Sequence, residues 1–200
     1  MSVSFAGADV QPVALRTARL VLDRPVLADA ELVTRYCQDP IFERYLTTPW
    51  PYTPADAESF LGGHVPDSWE SGSELTWAIR REEGGPLLGV ISVREAQHEL
   101  GFWMGGAHRG LGLMSEATIA AVEWTLGGGI PGAGTVFWRA VEGNTESAKV
   151  ARAAGFRRIE PDAPTVPTRD GGTLPAWYGV REATVDPRAY GSWQGILGTA

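Results

Sequence analysis

The sequence has one cysteine and no long apolar segment. Cys37 has no second cysteine to pair with among the 200 residues, so a secreted disulfide scaffold is excluded. No apolar run approaches the roughly 18 residues that a membrane-spanning helix needs. The first seven residues lack the basic flank and the apolar stretch of a secretory signal. We therefore expect a cytoplasmic protein with no membrane partner.

Basic residues are also scarce. There are 17 Lys and Arg against 24 Asp and Glu, which gives a net charge of −7 at pH 7. Direct nucleic-acid binding is not expected, because phosphate contacts need clustered Lys and Arg. An acidic chain suits a cationic partner such as an amine, although net charge also serves solubility. Three scattered histidines and one cysteine show no metal-ligand spacing, so no metal site is predicted.

Length and composition indicate one folded domain. Hydrophobic residues make up 44% of the chain, and the sequence shows no internal repeat. Residues 1–14 have no sustained period and are predicted to form a flexible leader. Residues 15–183 are predicted to form the domain, and residues 184–200 a C-terminal tail. This tail either docks onto its own domain or meets a second subunit, which leaves a homodimer open.

Hydrophobic periodicity predicts an α+β domain with a mixed sheet covered on both faces. The predicted strands lie at 19–22, 75–81, 87–94, 98–104, 135–141, 156–159 and 177–181. The predicted helices lie at 29–40, 54–61 with a continuation toward 69, 113–126 and 144–154. The helix that starts at 29 is expected to end at Pro40, and the one at 54 to be capped by Thr53.

One segment combines a strand, a glycine-rich turn and a helix. The loop Arg109-Gly-Leu-Gly112 follows the strand at 98–104 and precedes the helix at 113. Glycines let a ligand approach the backbone, and the free N–H groups of the first helical turn attract an anion. The pattern is not a dinucleotide fingerprint, because Ser115 stands where the third glycine would be.

A second segment carries Asn144 and Ser147 at the start of the next helix. Asn144 can cap this helix, and the hydroxyl of Ser147 in its first turn can donate a hydrogen bond to a ligand in front of it. A capping arrangement without a ligand explains the same residues and is favoured by their types alone.

Together these segments resemble the GNAT family of acyl-CoA N-acyltransferases, and in particular its RimJ/RimL-like branch, named for ribosomal-protein N-terminal acetyltransferases. The resemblance spans residues 15–182 and rests on several motifs in order: Leu15-Arg-Thr-Ala-Arg-Leu-Val-Leu22, Thr53-Pro-Ala-Asp-Ala-Glu-Ser-Phe60, Trp77-Ala-Ile79, Leu88-Gly-Val90, Glu99-Leu-Gly-Phe-Trp103, Arg109-Gly-Leu-Gly112-Leu-Met-Ser-Glu-Ala117, Asn144-x-x-Ser147 and Ala154-Gly155-Phe156. It implies a mostly antiparallel central sheet with helices on both faces and a cofactor gap between two central strands.

The resemblance also implies acetyl-CoA as co-substrate. Its pyrophosphate would rest on backbone N–H groups of Gly110, Leu111, Gly112, Leu113 and Met114, with Arg109 at the family's Gln/Arg position. The pantetheine would run near Phe102, Trp103, Met104 and Asn144, and Ser147 would face the thioester sulfur. The family usually has Gly or Ala where Met114 stands, and this is the one departure in the pyrophosphate site.

The implied activity is acetyl transfer from acetyl-CoA to a primary amine, by direct attack in a ternary complex. The acceptor would be a protein N-terminus or a small-molecule amine. A base must remove the amine's proton, and Glu99 matches the family's basic glutamate, although an ion-paired carboxylate explains it equally well. Glu142 and His98 are other candidates. Ser147 would protonate or orient the departing thiolate.

Two further expectations concern the surroundings of the site. Trp50, Tyr52, Phe60 and Trp69 lie in the region that usually forms the acceptor wall, where they either line a pocket or pack between helices. The alternative function is a non-catalytic acyl-CoA-binding regulatory or scaffold module. Such a module would keep the cofactor site without turnover.

Overall fold

The computed structural model describes residues 13–186, Trp193, Ile196 and Leu197. Most of the predicted leader therefore lies outside the described residues. The strands within them are β1 (Leu15–Arg16), β2 (Val21–Asp23), β3 (Glu74–Arg80), β4 (Gly89–Arg94), β5 (Glu99–Met104), β6 (Thr135–Val141), β7 (Arg157–Ile159), β8 (Thr165–Pro167) and β9 (Thr173–Glu182). The α-helices are α1 (Ala30–Cys37), α2 (Pro40–Tyr45), α3 (Pro54–Ser59), α4 (Val65–Ser71), α5 (Leu113–Trp124) and α6 (Thr145–Ala153).

The strands form one sheet in the order β1-β2-β3-β4-β5-β6-β9-β7, with β8 paired to β9. Neighbouring strands are antiparallel except β5 and β6, which are parallel and meet at a single residue pair, Glu99 with Phe137. There the N–H of Phe137 donates to the carbonyl of His98 at 2.9 Å. Beyond this pair the two strands separate. The predicted GNAT-like mixed sheet with a gap between two central strands is confirmed.

Helices cover both faces of the sheet, because successive strand residues point to opposite faces. Trp77 of β3 packs into the core beneath α4, α5 and α6, whereas its neighbour Ala78 packs beneath α1, α2 and α3. Cys37 lies in the second core at 1% exposure, and burial raises the pKa of its thiol to about 12. It is a small buried residue and not a nucleophile.

Pro40 begins a helix that the sequence analysis did not predict. Helix α1 does end before Pro40, but the side chain of Asp39 accepts a hydrogen bond from the N–H of Ile41 and so caps α2. A proline at the first helical position loses no hydrogen bond, which explains why it starts a helix here. The capping of α3 by Thr53 is confirmed. A π-helical turn over Phe60–His64 joins α3 to α4, so the predicted continuation toward residue 69 is confirmed as well.

Two residues of the predicted C-terminal tail pack into the domain core. Trp193 is 6% exposed, and its ring meets that of Trp138 edge to face with 5.6 Å between centroids. Its Nε1 donates to the carbonyl of Phe156 at 3.1 Å, and Ile196 is also buried. At these positions the tail docks onto its own domain. No helix in the described ranges is long and apolar enough to cross a membrane.

Candidate active site

A cleft of about 1090 Å³ opens where β5 and β6 separate. It is lined by the start of α5, by residues 41–47 and by residues 166–170 and 172–174. Of the residues predicted for the site, all but Leu111 line this cleft: Glu99, Phe102, Trp103, Met104, Arg109, Gly110, Gly112, Leu113, Met114, Asn144 and Ser147. Leu111 is 51% exposed and lies outside the lining.

The backbone N–H groups of residues 110–115, which we call the amide cluster, are free at the start of α5. Gly110 and Gly112 both have φ +73°, a left-handed conformation that glycine adopts without steric cost. The first helical N–H with an acceptor is that of Glu116, which donates to the carbonyl of Gly112 at 3.1 Å. Within the described residues the amide cluster donates no hydrogen bond. It therefore lies at the positive end of the helix dipole, ready for an anion.

Met114 stands where the family usually has Gly or Ala, and the N–H groups of the amide cluster remain free beside it. Its side chain is 8% exposed and packs in the core with Leu113 and Ala117. Most of the side chain is therefore taken up by the core, although Met114 also contributes to the cleft lining. Its predicted place beside the pyrophosphate stays a prediction.

Arg19 holds the loop of the amide cluster from the side of β2. Its Nε pairs with Glu116 at 2.6 Å, and its Nη1 donates to the carbonyl of Leu111 at 3.3 Å. Burial alone would raise the pKa of Glu116, but hydrogen bonds from Thr17 and Arg19 outweigh it and hold this pKa below its usual range. Arg19 was not predicted as a site residue, because more than 90 residues separate it from the loop it supports.

Arg109 connects the end of β5 to the start of α2. Its Nε donates to the carbonyl of Met104 at 2.9 Å, and its Nη1 pairs with Asp39 at 2.8 Å. Burial opposes ionisation of Asp39, but the N–H of Ile41 and the Arg109 guanidinium together lower its pKa. Arg109 thus lines the cleft while these hydrogen bonds position the loop. Its predicted contact with the cofactor stays a prediction.

Asn144 and Ser147 lie side by side on the β6 side of the gap. The side chain of Asn144 accepts a hydrogen bond from the Ser147 N–H at 3.2 Å, so the capping interpretation is confirmed. The Oγ of Ser147 accepts from Nε1 of Trp138 at 3.0 Å. Because the indole can only donate, the Ser147 hydroxyl proton remains available for another acceptor. The sequence contains no local signal for this role of Trp138.

Glu99 is buried between two arginines at the narrow end of the gap. It is 8% exposed, and its two oxygens pair at 2.7 Å with Nη1 of Arg94 and with Nε of Arg139. Burial alone would lower the pKa of Arg139, but the hydrogen bond with Tyr178 and the charge of Glu99 raise it. The ion-paired interpretation of Glu99 is therefore confirmed, and its role as base stays a prediction.

The other candidate bases lie less favourably. Glu142 is exposed in the turn after β6 and is not part of the cleft lining. His98 is half-buried before β5, where its carbonyl joins the two strands. His108 lines the cleft, where it hydrogen-bonds the Tyr36 hydroxyl at 3.0 Å. Burial, followed by repulsion from Arg81 and Arg35, lowers the pKa of His108.

Arg169 connects two segments of the cleft lining, residues 41–47 and 166–170. It lies in the turn between β8 and β9, and its Nη2 donates to the carbonyls of Phe42, Glu43 and Leu46 at 2.8 to 3.0 Å. Its Nε donates to the carbonyl of Thr48 at 3.1 Å. These bonds satisfy carbonyls at the C-terminal end of α2 and join this helix to the β8–β9 turn.

The predicted aromatic wall packs between helices and does not line the cleft. Tyr52 and Trp69 are buried at 5% and 1% exposure. Phe60 and Trp50 are partly buried against the same cores. The packing interpretation is confirmed for all four residues. Within the part of the chain that the structure describes, no three His, Cys, Asp or Glu side chains are grouped to hold a metal ion.

The family follows from a direct match. The family model of the acetyltransferase (GNAT) domain matches residues 19–157. The chain belongs to the GNAT acetyltransferase family. This GNAT protein is therefore an acetyl-CoA-dependent acetyltransferase, as predicted, and acetyl-CoA is its co-substrate.

Solved GNAT structures share its fold at low sequence identity. A GNAT acetyltransferase from Bacillus anthracis has a TM-score of 0.73 at 18% identity, over 86% of this chain and 100% of that one. The ribosomal alpha-N-protein acetyltransferase RimL has 0.69 at 15%, over 88% and 97%. The microcin self-immunity acetyltransferase MccE, solved with acetyl-CoA and AMP, has 0.69 at 18%, over 83% and 93%. No curated protein sequence matches the chain.

Proposed function

We propose that this GNAT protein acetylates a primary amine, on a small molecule or a protein N-terminus, by direct attack on acetyl-CoA in a ternary complex. The gap between β5 and β6 is the observation that carries the proposal. It joins an anion-binding amide cluster at one end to a charged side-chain group at the other. A co-substrate with a pyrophosphate and a thioester needs one end to bind its pyrophosphate and the other for the reaction at its thioester.

The amide cluster is proposed to bind the pyrophosphate, with the pantetheine along β5. Beyond Glu99 the edge of β5 that faces β6 has no strand partner among the described residues. Its backbone groups between Phe102 and Met104 are therefore available to the pantetheine amides. Asn144 contacts the pantetheine arm from the opposite side of the gap.

The chemical step needs an uncharged amine. The amine nitrogen attacks the thioester carbonyl carbon, and a backbone N–H between Phe102 and Met104 donates to the oxyanion that forms. The C–S bond then breaks, and the Ser147 hydroxyl donates a hydrogen bond to the departing thiolate. Glu99 accepts the amine's proton through water.

Thermal unfolding with and without acetyl-CoA tests the site directly. Ligand at 100 times its dissociation constant adds about 2.7 kcal/mol to the free energy of unfolding. We expect an upward shift of Tm with acetyl-CoA and with CoA but little shift with ATP, followed by amine-dependent thiol release. No shift at millimolar acetyl-CoA would contradict the proposed site. A cytoplasmic location and a homodimer remain predictions.

A further inference from the structure

Two arginines flank Glu99 at the narrow end of the gap, and one of them keeps a donor group that the described residues leave unused. Arg94 of β4 and Arg139 of β6, which we call the arginine pair, each give one nitrogen to Glu99. Their side chains are 41% and 30% exposed, and both line the cleft. Glu74 comes no closer to Arg94 than 3.8 Å. Among the described residues, Nη2 of Arg94 has no hydrogen-bond acceptor.

The free end of Arg94 lies over Gly101, on the face of β5 that carries Glu99. A Cβ at Gly101 would lie 3.5 Å from Nη2 of Arg94 and 3.1 Å from Oγ of Ser92. Nη1 of the same guanidinium binds Glu99, so Arg94 spans the two residues of β5, about 7 Å of strand, from Glu99 to Gly101 in the direction of Phe102. In the proposed function the thioester carbonyl meets β5 at Phe102. The arginine pair therefore faces the acceptor beside the reacting atoms.

The phosphates of acetyl-CoA do not account for the arginine pair. Glu99 and Met104 are five residue steps apart on β5, a distance of about 16 Å along the strand. The amide cluster begins only after that strand. Arg94, Arg139, Glu99 and Glu74, whose carboxylate lies 3.8 Å from Nε of Arg94, together carry no net charge, although the whole chain carries −7. The narrow end therefore lacks the excess of acidic groups that would attract a purely cationic acceptor, contrary to the expectation from the net charge.

We propose that the acceptor carries an acidic group, a carboxylate or a phosphate, close to its amine, and that Arg94 and Arg139 bind this group. The inference rests on the proposed function and adds the substrate class. Guanidinium N–H groups form charge-assisted hydrogen bonds with both kinds of acid. Glu99 holds the arginine pair in place, so little side-chain entropy is lost when the acid binds.

Matched acceptors test the substrate class. Acetyl transfer is measured for ω-amino acids of increasing length and for alkylamines of the same length, with aminoalkyl phosphates as a third series. We expect kcat/KM at least about tenfold higher for one acidic series than for the alkylamines. The better acidic series identifies carboxylate or phosphate as the natural group, and the best chain length measures its distance from the amine.

Variants of the arginine pair test the contact itself. R94Q retains an amide that can donate to Glu99 but loses the charge. We expect kcat/KM with acidic acceptors to fall about 10- to 100-fold, at least tenfold more than with alkylamines. R139Q gives an independent second variant, and R94K keeps the charge without the planar fork. The control R16Q removes one charge from the exposed Arg16–Glu83 pair and leaves the kinetics unchanged.

The outcomes separate this inference from the proposed function. Equal or better transfer to alkylamines overturns the acidic-acceptor class and leaves amine acetylation standing. An equal loss with both kinds of acceptor in R94Q also overturns it, provided that the acetyl-CoA-induced shift of Tm is retained. Absence of transfer to every amine overturns the proposed function, and this inference with it.

Discussion

The two ends of the cleft are built from different parts of the chain. The amide cluster consists of backbone N–H groups from one continuous stretch, residues 110–115. The narrow end consists of side chains from three strands, Arg94, Glu99 and Arg139. A backbone site depends little on the identity of the side chains around it. A side-chain site depends on strand register and on the identity of each residue, so it sets which acceptor is used.

The difference in function between the two ends of the cleft is tested most strongly at Glu99. E99Q cannot pair with both arginines or accept a proton, so we expect kcat/KM for the amine to fall about 100-fold. The acetyl-CoA-induced shift of Tm should remain. The pH–rate profile separates the two roles, because the acidic limb disappears in E99Q only if Glu99 is the base. E142Q is the matched control, and a larger loss there would contradict the assignment of Glu99.

The backbone end is tested by a pair of glycines with similar conformation. G112A and G132A each place an alanine at positive φ, +73° and +80°, at a cost of about 1–2 kcal/mol of stability. Only Gly112 begins α5, so only G112A should weaken acetyl-CoA binding, by about tenfold as measured by calorimetry. Equal affinity in both variants would show that the amide cluster does not bind the co-substrate.

Ser147 lies between the two ends and should have a smaller effect. S147A removes one hydrogen bond to the thiolate, so we expect kcat to fall about 2- to 10-fold with little change in KM. The loss should shrink for an aryl thioester, whose thiolate needs less stabilisation. An undiminished loss with that substrate would indicate that Ser147 does not act on the leaving group.

Asp39 should have the smallest effect, on stability. Its pKa is lowered in the folded chain, so its contribution is present above the ordinary value near 3.9 and is lost as the pH falls through the lowered value. D39N keeps the helix cap and loses only the charge. Chemical denaturation should show D39N less stable by under about 1 kcal/mol at pH 6. The difference should shrink between pH 5 and pH 3, and a constant difference would contradict the ion pair with Arg109.

The parts that the sequence predicted well are those with a local signal. Strands β3 to β6 are mostly apolar runs of six or seven residues, and α5 follows a glycine turn, so each could be located within a few residues. Strands β1 and β8 have two and three residues, too few to show a period. Helix α2 was missed because Pro40 was interpreted only as a stop, although Asp39 before it is a typical cap.

The acceptor end could not be predicted, because its contacts join distant positions. Arg139 lies 40 residues after Glu99, and Arg169 lies more than 120 residues after the carbonyls it binds. Such pairs depend on the way β5 and β6 separate and on the approach of the β8–β9 turn. Neither the separation of the strands nor the approach of the turn produces a pattern in the local sequence. The amide cluster, in contrast, could be predicted from one short motif.

The contact of Trp193 with Trp138 connects the C-terminal segment to the site, because Trp138 also donates to Ser147. Thermodynamic linkage makes such a connection reciprocal. If release of Trp193 weakens acetyl-CoA binding by some factor, acetyl-CoA must tighten the docking of Trp193 by the same factor. Binding of acetyl-CoA in the cleft could then be followed by the docking of Trp193, and the docking of Trp193 by the affinity for acetyl-CoA.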